Sequence, residues 1–277
     1  MRLPLPKDPR WLQIAFLGSF AVAGMYQEVI PLVQPLLTVA AAAASQWLNT
    51  KLRRAPSQGY LSAVITGLGL ALLVRSDLIW LPALVAALAI ASKFWIRVRG
   101  KHVFNPANLG LAGGMLATTH IWASPSQWGE DTTLLFWFLA LGLTVVVRAL
   151  RTDISFAFLA FWIALKAGRV LYLGQRLAVL EHQLAFGSLI VFTFFMISDP
   201  KTTPDSRAGR ILYAGLVATL AFVLQHRFWV MSSPVWALFA LSPLVPVIDW
   251  LIKGVRYQWP SLAAPQLNPQ LSTAGAR

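Results

Sequence analysis

The chain has 277 residues, 57% of them hydrophobic and only 12% charged, with a net charge of +13 and no cysteine. A soluble domain carries about twice that charged fraction, and the apolar residues here come in long runs, so the solvent is lipid rather than water. The absence of cysteine excludes Cys-held iron–sulfur clusters, disulfides, a thiolate nucleophile and Cys-based zinc.

In chain order, the apolar runs are 11–26, 29–48, 60–74, 78–95, 108–122, 133–147, 154–173, 184–197, 209–224 and 235–252. They predict an all-α integral membrane protein with about ten transmembrane helices. Several runs are nearer about 15 residues than the roughly 20 of a full crossing, as broken or little-tilted helices would be. Arg2, Lys7 and Arg10 before the first run have the layout of a signal peptide. The second run follows at once, as in a helical hairpin, so the first is expected to stay as a span.

The basic residues lie in short clusters between the runs, a pattern that sets topology and meets anionic lipid headgroups; it does not point to nucleic acid. Counted over alternate loops, 18 of the 23 Lys and Arg fall on one side, and Arg75, Lys166, Arg169, Arg176 and Arg227 fall on the other. Ten spans with both termini in the cytoplasm give this split. The loop 123–131 contains no Lys or Arg and carries Glu130 and Asp131, in keeping with an external position.

Ten spans divide into two sets of five, and an odd set inverts the second half, which is a common transporter plan. The expected organisation is one polytopic membrane domain over 1–259, with halves of about 8–123 and 131–254. Residues 260–277 read as a disordered cytoplasmic tail.

Two cytoplasmic segments carry unusual chemistry. The first runs Lys101-His102-Val103-Phe104-Asn105-Pro106-Ala107-Asn108 into a stretch rich in glycine. The second runs Ser198-Asp199-Pro200-Lys201-Thr202-Thr203-Pro204-Asp205-Ser206-Arg207. Asn105-Pro106, Asp199-Pro200 and Thr203-Pro204 each place a capping oxygen before a proline, so the fifth and ninth spans are expected to begin sharply there. A helix start among Lys93, Lys101, His102, Lys201, Arg207 and Arg210 is suited to a phosphate or another anion. The same residues also read as ordinary capping at the membrane surface. Gly110, Gly113 and Gly114 form a small face for close helix packing.

The succession Ser62-Ala63, Thr66-Gly67, Lys93, Phe104-Asn105-Pro106-Ala107, Phe195-Met196 and Ser198-Asp199-Pro200 resembles the D subunit of the Rnf electron-transport complex. It is similar, too, to the B subunit of the sodium-pumping Nqr complex. The start Lys7-Asp8-Pro9-Arg10 and the short loops resemble stand-alone branches, including the UnbU-type proteins of enediyne clusters.

The resemblance implies ten helices in two inverted five-helix repeats in the bacterial inner (cytoplasmic) membrane. It also implies electron transport coupled to movement of Na⁺ or H⁺, and other membrane or soluble redox subunits as partners. Carried over onto this chain, the cofactor-binding residues are Lys93, Asn105, Pro106, Asn108, Ser198, Asp199, Pro200, Lys201, Thr202 and Arg207. The family attaches FMN to a threonine of a Ser-Gly-Ala-Thr-type motif in an external loop after the fifth helix. Here Thr132 follows Gly129-Glu130-Asp131, so the attachment site is not carried over. The flavin to expect is therefore noncovalent, as FMN or riboflavin.

No predicted span has a carboxylate at its middle, and Asp249 reads as a surface pair with Lys253. None of His102, His120, His182 and His226 is paired with another at helical spacing for a haem or metal. Trp11, Trp47, Trp80, Trp95, Trp122, Trp229, Trp236 and Trp250 lie near span ends, as interfacial anchors do. Two functional readings stand. One is an Rnf-D-like membrane subunit supporting electron transfer, at most a non-catalytic or flavin-carrying part of an oxidoreductase. The other is a solute permease or channel of the same architecture without redox chemistry.

Overall fold

A computed structural model describes residues 8–27, 30–54, 59–124, 132–184 and 187–258. The first half contains α1 (Pro9–Tyr26), α2 (Val33–Leu52), α3 (Tyr60–Leu73), β1 (Val74–Ser76), α4 (Leu81–Trp95), β2 (Arg97–Val98), β3 (Lys101–His102), α5 (Pro106–Ala117) and β4 (Ile121–Ala123). The second contains α6 (Thr132–Arg148), α7 (Thr152–Tyr172), α8 (Leu177–Leu184), α9 (Gly187–Val191), a π-helix (Phe192–Met196) and α10 (Arg207–Arg227). It ends in α11 (Ser233–Leu241), a 3₁₀ turn (Ser242–Leu244) and α12 (Val245–Leu251).

The distribution of side chains is that of a protein in lipid. In α2 the buried face is Gln34, Pro35, Thr38, Ala42, Ser45, Gln46 and Asn49, while Leu32, Leu36, Leu48 and Leu52 are exposed. Small and polar residues thus face the neighbouring helices and leucines face outward, the reverse of a soluble amphipathic helix. Most of the inward polar groups are paired: Gln34 Nε2 donates to Val74 O at 2.8 Å, Ser45 Oγ to Ala87 O at 2.7 Å, and Trp95 Nε1 to Asn49 Oδ1 at 3.0 Å, while Gln46 Oε1 has no partner among the described residues. A Cβ on Gly67 would stand 2.8 Å from Val39 Cα, so glycine sets the approach of α3 to α2. Gly110 and Gly114 of α5 pack in the same way against Val85 of α4, whereas Gly113 has open space.

Each of the ten predicted runs contains helix among the described residues, but the helices differ in reach. Thr152–Tyr172, Arg207–Arg227 and Ser233–Leu251 are long and apolar enough to cross a bilayer. Leu177–Leu184 and Ser188–Met196, bent by 60° at their junction, have the length of a fourth span when taken as one. The protein is a multi-pass membrane protein. Among the shorter helices, α3 has 14 residues, α4 has 15 and α5 has 12, less than the roughly 20 of a crossing.

Two short β ladders depart from a purely helical chain, and their cause is the shortness of these helices. After α3 the backbone becomes extended as β1, which pairs antiparallel with β4 beyond α5, Val74 opposite Ala123. Non-helical backbone in apolar surroundings must find hydrogen-bond partners, and each broken helix supplies them to the other. The second ladder, β2 with β3, joins α4 to α5 through Arg97 opposite His102. Helix α8 falls in a segment that reads as a loop from sequence; its eight residues bury no side chain, so periodicity there carries little signal. The readings of residues 1–7, of the loop 125–131 and of the tail 260–277 fall outside the described residues.

The halves meet through buried charge. Lys101 Nζ donates to Thr203 O at 2.6 Å, Asp205 Oδ1 at 2.9 Å and Asp249 Oδ2 at 2.8 Å. Asp249 therefore does not form the expected surface pair with Lys253. It is turned inward, where its Oδ1 also accepts from Asp205 N at 2.7 Å. Arg210 clamps α10 to α7 by donating from Nε and Nη2 to Asp153 Oδ2 at 2.8 and 2.6 Å.

Candidate functional site

Four segments converge at the basic end of the helices. Helix α1 begins at Pro9 with Asp8 as its cap, the carboxylate accepting from Arg10 N and from the Arg10 side chain, with Nη2 to Oδ2 at 2.6 Å. Helix α5 begins at Pro106 with Asn105 as its cap, Oδ1 accepting from Asn108 N at 3.1 Å. Between them lie the end of α4, with Lys93, and the turn after the π-helix.

The π-helix shapes that turn. Its wider backbone closes through Ile197 N donating to Phe192 O, a local departure of the kind that π-bulges place at functional sites. Asn105 Nδ2 donates to Met196 O at 3.2 Å and to Asp199 Oδ2 at 3.3 Å. The cap of α5 is thus tied to the end of the π-helix. Ser198 Oγ donates to Phe194 O at 2.6 Å.

These segments enclose a cavity of about 80 Å³. Lys93, Asn105, Pro106, Ser198, Asp199, Pro200 and Lys201 line it, so seven of the residues expected from sequence come together. Asn108 is fully buried behind the cavity and donates to Val235 O of α11 at 2.9 Å. Thr202 is buried next to the turn, its N–H bonding Asp199 O at 3.2 Å. Arg207 stays exposed as the first residue of α10 and does not line the cavity.

One expectation is corrected. Neither Asp199 nor Thr203 starts a helix; the N–H groups of Thr202 and Thr203 both turn back to Asp199 O. Helix α10 begins later, capped by Ser206 Oγ, which accepts from Gly209 N at 3.0 Å. Pro204 explains the delay, because a proline disfavours helical backbone at the residue before it. Asp199, freed from capping, accepts from Lys201 N at 3.0 Å and faces the cavity.

The electrostatics are mixed rather than simply basic. Lys93 Nζ donates to Ser62 Oγ at 3.1 Å, and Lys201 Nζ donates to Tyr257 O at 2.9 Å. Burial pushes the Asp199 carboxyl above its ordinary value, against the pull of the Lys201 N–H and the Lys93 charge. Burial lowers the Lys201 ammonium, opposed by Asp199. Burial, with Lys93 and Arg97 as nearby cations, pushes the His102 imidazole down to about 3. That ring is neutral near pH 7, and its Nδ1 is buried with no partner among the described residues. Arg10, Gln13 and Ser62 also line the cavity. Sequence reasoning missed Arg10 and Gln13 as site residues, although Asp8-Pro9 carries the same cap-then-proline signature as Asn105-Pro106.

The cations Lys93 and Lys201 and the polar edges of Ser62 and Asn105 suit an anionic group, with the Asp199 carboxyl on the same lining opposing it. The volume does not suit a flavin ring. A cavity of about 150 Å³ takes one benzene, and 80 Å³ is about half of that. A bound FMN could present its phosphate here only with the three-ring isoalloxazine outside.

Comparison with known proteins gives one consistent answer. The model of the NQR2, RnfD, RnfE family matches residues 115–258, just over half of the chain. The D subunit of the ion-translocating oxidoreductase complex of Stutzerimonas stutzeri is 28% identical over 168 residues, covering 57% of this chain and 41% of that protein. The protein of the same name from Shewanella piezotolerans is 28% identical over 128 residues, covering 44% of this chain and 36% of that protein. That from Tolumonas auensis is 30% identical over 74 residues, 27% of this chain and 21% of its own length. The chain thus spans less than half the length of these relatives. With a family match over more than half its residues, on apolar helices that turn their leucines outward, the chain belongs to the NQR2, RnfD, RnfE family.

Proposed function

We propose that the chain is a membrane subunit that supports electron transfer coupled to ion transport, working beside other membrane or soluble redox subunits. The family match, together with relatives named as subunits of an ion-translocating oxidoreductase complex, supports this reading. In it, the helices form two inverted sets of five in the bacterial inner membrane, with the basic end and both termini cytoplasmic. The charge asymmetry between alternate loops supports that orientation.

The observation that carries the site is the tie from Asn105 to Met196 O and Asp199, which brings two distant loops around one cavity with Lys93 and Lys201. Lys93, Lys201, Ser62 and Asn105 would hold the phosphate of a noncovalent FMN in this cavity, which is too small for the ring. Flavin would supply one- and two-electron chemistry; the chain's own residues bind and orient the anion.

The test compares FMN, riboflavin and inorganic phosphate on the protein purified in detergent. FMN should bind more tightly than riboflavin, phosphate should compete, and Lys201→Gln should weaken FMN with unchanged thermal stability. Riboflavin binding as tightly as FMN would remove the phosphate role. A stable protein that binds neither would move the assignment to the solute permease.

A further inference from the structure

The second cavity lies at the far end of α7 and α10, away from the Asp153–Arg210 clamp. It holds about 210 Å³. Among the described residues its charged lining is Lys166 alone, and no described Asp or Glu lines it. Lys166 is 1% exposed, and its ammonium donates to Gln225 Oε1 at 2.7 Å and to His226 Nε2 at 3.0 Å while lying 4.7 Å from the Trp162 ring centre. Two of its three N–H groups are therefore used, and no carboxylate among the described residues balances the charge.

Other donors gather around the same space. Trp162, 4% exposed, and Ser233, 2% exposed, both line the cavity. Trp162 Nε1 and Ser233 Oγ are each buried without a partner among the described residues. Ser233 is the first residue of α11, whose start has no side-chain cap, and the preceding Ser232 is held at φ 53°. A buried polar group without a partner is costly, and left-handed backbone at a residue other than glycine is uncommon. Two orphan donors, a strained helix start and a lysine with no counter-charge among the described residues describe a site for an acceptor-rich anion, with the orphan acceptor Gln183 Oε1 on the same lining left for a donor such as water. The rest of the lining, Leu111, Phe192 and Met196 among it, is apolar.

We propose that this cavity binds a small organic carboxylate: the carboxylate meets Lys166, Ser233 and Trp162, and a ring-sized apolar body lies against Phe192 and Met196. A single-ring acid is the size that fits, since about 150 Å³ takes benzene. This site is separate from the phosphate site at the basic end and does not depend on a flavin being bound.

Equilibrium dialysis of the purified full chain with labelled benzoate tests it, with benzamide as the neutral isostere and laurate as a long-chain acid. Benzoate should bind saturably and about tenfold or more tightly than benzamide, because a charge-assisted hydrogen bond is roughly twice as strong as a neutral one. Lys166→Gln should abolish that preference, and Ser233→Ala and Trp162→Phe should each weaken benzoate a few-fold at unchanged melting temperature. If Lys166→Gln does not fold, the other two variants carry the test. Equal binding of benzoate and benzamide, tighter binding of laurate, or benzoate affinity unchanged in Ser233→Ala and Trp162→Phe would overturn the proposal.

Discussion

At the basic end, Lys101 Nζ stands 2.9 Å from Asp205 Oδ1 and 2.8 Å from Asp249 Oδ2. At the far end, Lys166 Nζ meets an amide oxygen and an imidazole nitrogen. Both lysines are buried, yet among the described residues one is neutralised by carboxylates and the other is not. A charge held by two carboxylates locks elements together. A charge held only by uncharged acceptors keeps its electrostatic demand for something else. The difference separates a structural cation from a binding one, although both are simply lysines among apolar residues when read along the chain.

The comparison is broken most directly by removing each lysine. Lys101→Met should cost about 3 kcal/mol, because it leaves two largely but not fully buried carboxylates without their cation. Lys166→Met should cost only about 1 kcal/mol, since the groups it abandons are uncharged. Chemical or thermal unfolding in detergent measures both, and equal losses would erase the distinction.

The helix starts sharpen the picture at the basic end. Ser206→Ala should destabilise by about 1 kcal/mol, as loss of an N-cap does. Asp199→Ala should cost less through capping, because Asp199 caps no helix, and should instead change anion affinity at the cavity. Asn105→Ala should do both, because its side chain caps α5 and holds the Met196 and Asp199 turn.

A pH dependence also acts at the basic end. His102 titrates at about 3 when folded, against 6.5 as the ordinary value. Between those values the unfolded chain binds the extra proton, so stability rises with pH across the window and is lost as pH falls through it. Asp199, shifted upward, acts in the opposite sense: its contribution declines as pH rises from the ordinary carboxylate range through its raised value. The His102→Gln variant isolates the first component. Its stability should fall less than that of the parent when pH is lowered from about 6.5 toward 3, and an unchanged slope would show that His102 is not buried neutral.

Much was legible in the residues themselves. Long apolar runs with polar gaps gave the helices, because lipid demands continuous apolar length and internally satisfied backbone. Asn105-Pro106 marked the start of α5, because a cap and a fixed φ act within one turn. The order of short motifs brought together seven of the ten expected site residues.

What only the tertiary structure decided is long-range and depends on partners. Asp199-Pro200 has the same local signature as Asn105-Pro106, yet it forms a turn and α10 starts at Arg207. Asp249 lies beside Lys253 in sequence but bonds Lys101, 148 positions away. Helix α3 ends at Leu73, and the β1 backbone that follows is paired with β4, between segments about 47 residues apart that no local window holds. The second cavity has no motif at all: Lys166 and Trp162 come from α7 and Ser233 from the start of α11. Local rules fix where a helix begins and which residues face lipid. Which buried charge is left without a counter-charge is settled only when distant segments pack, since desolvation and pairing are properties of the assembled interior.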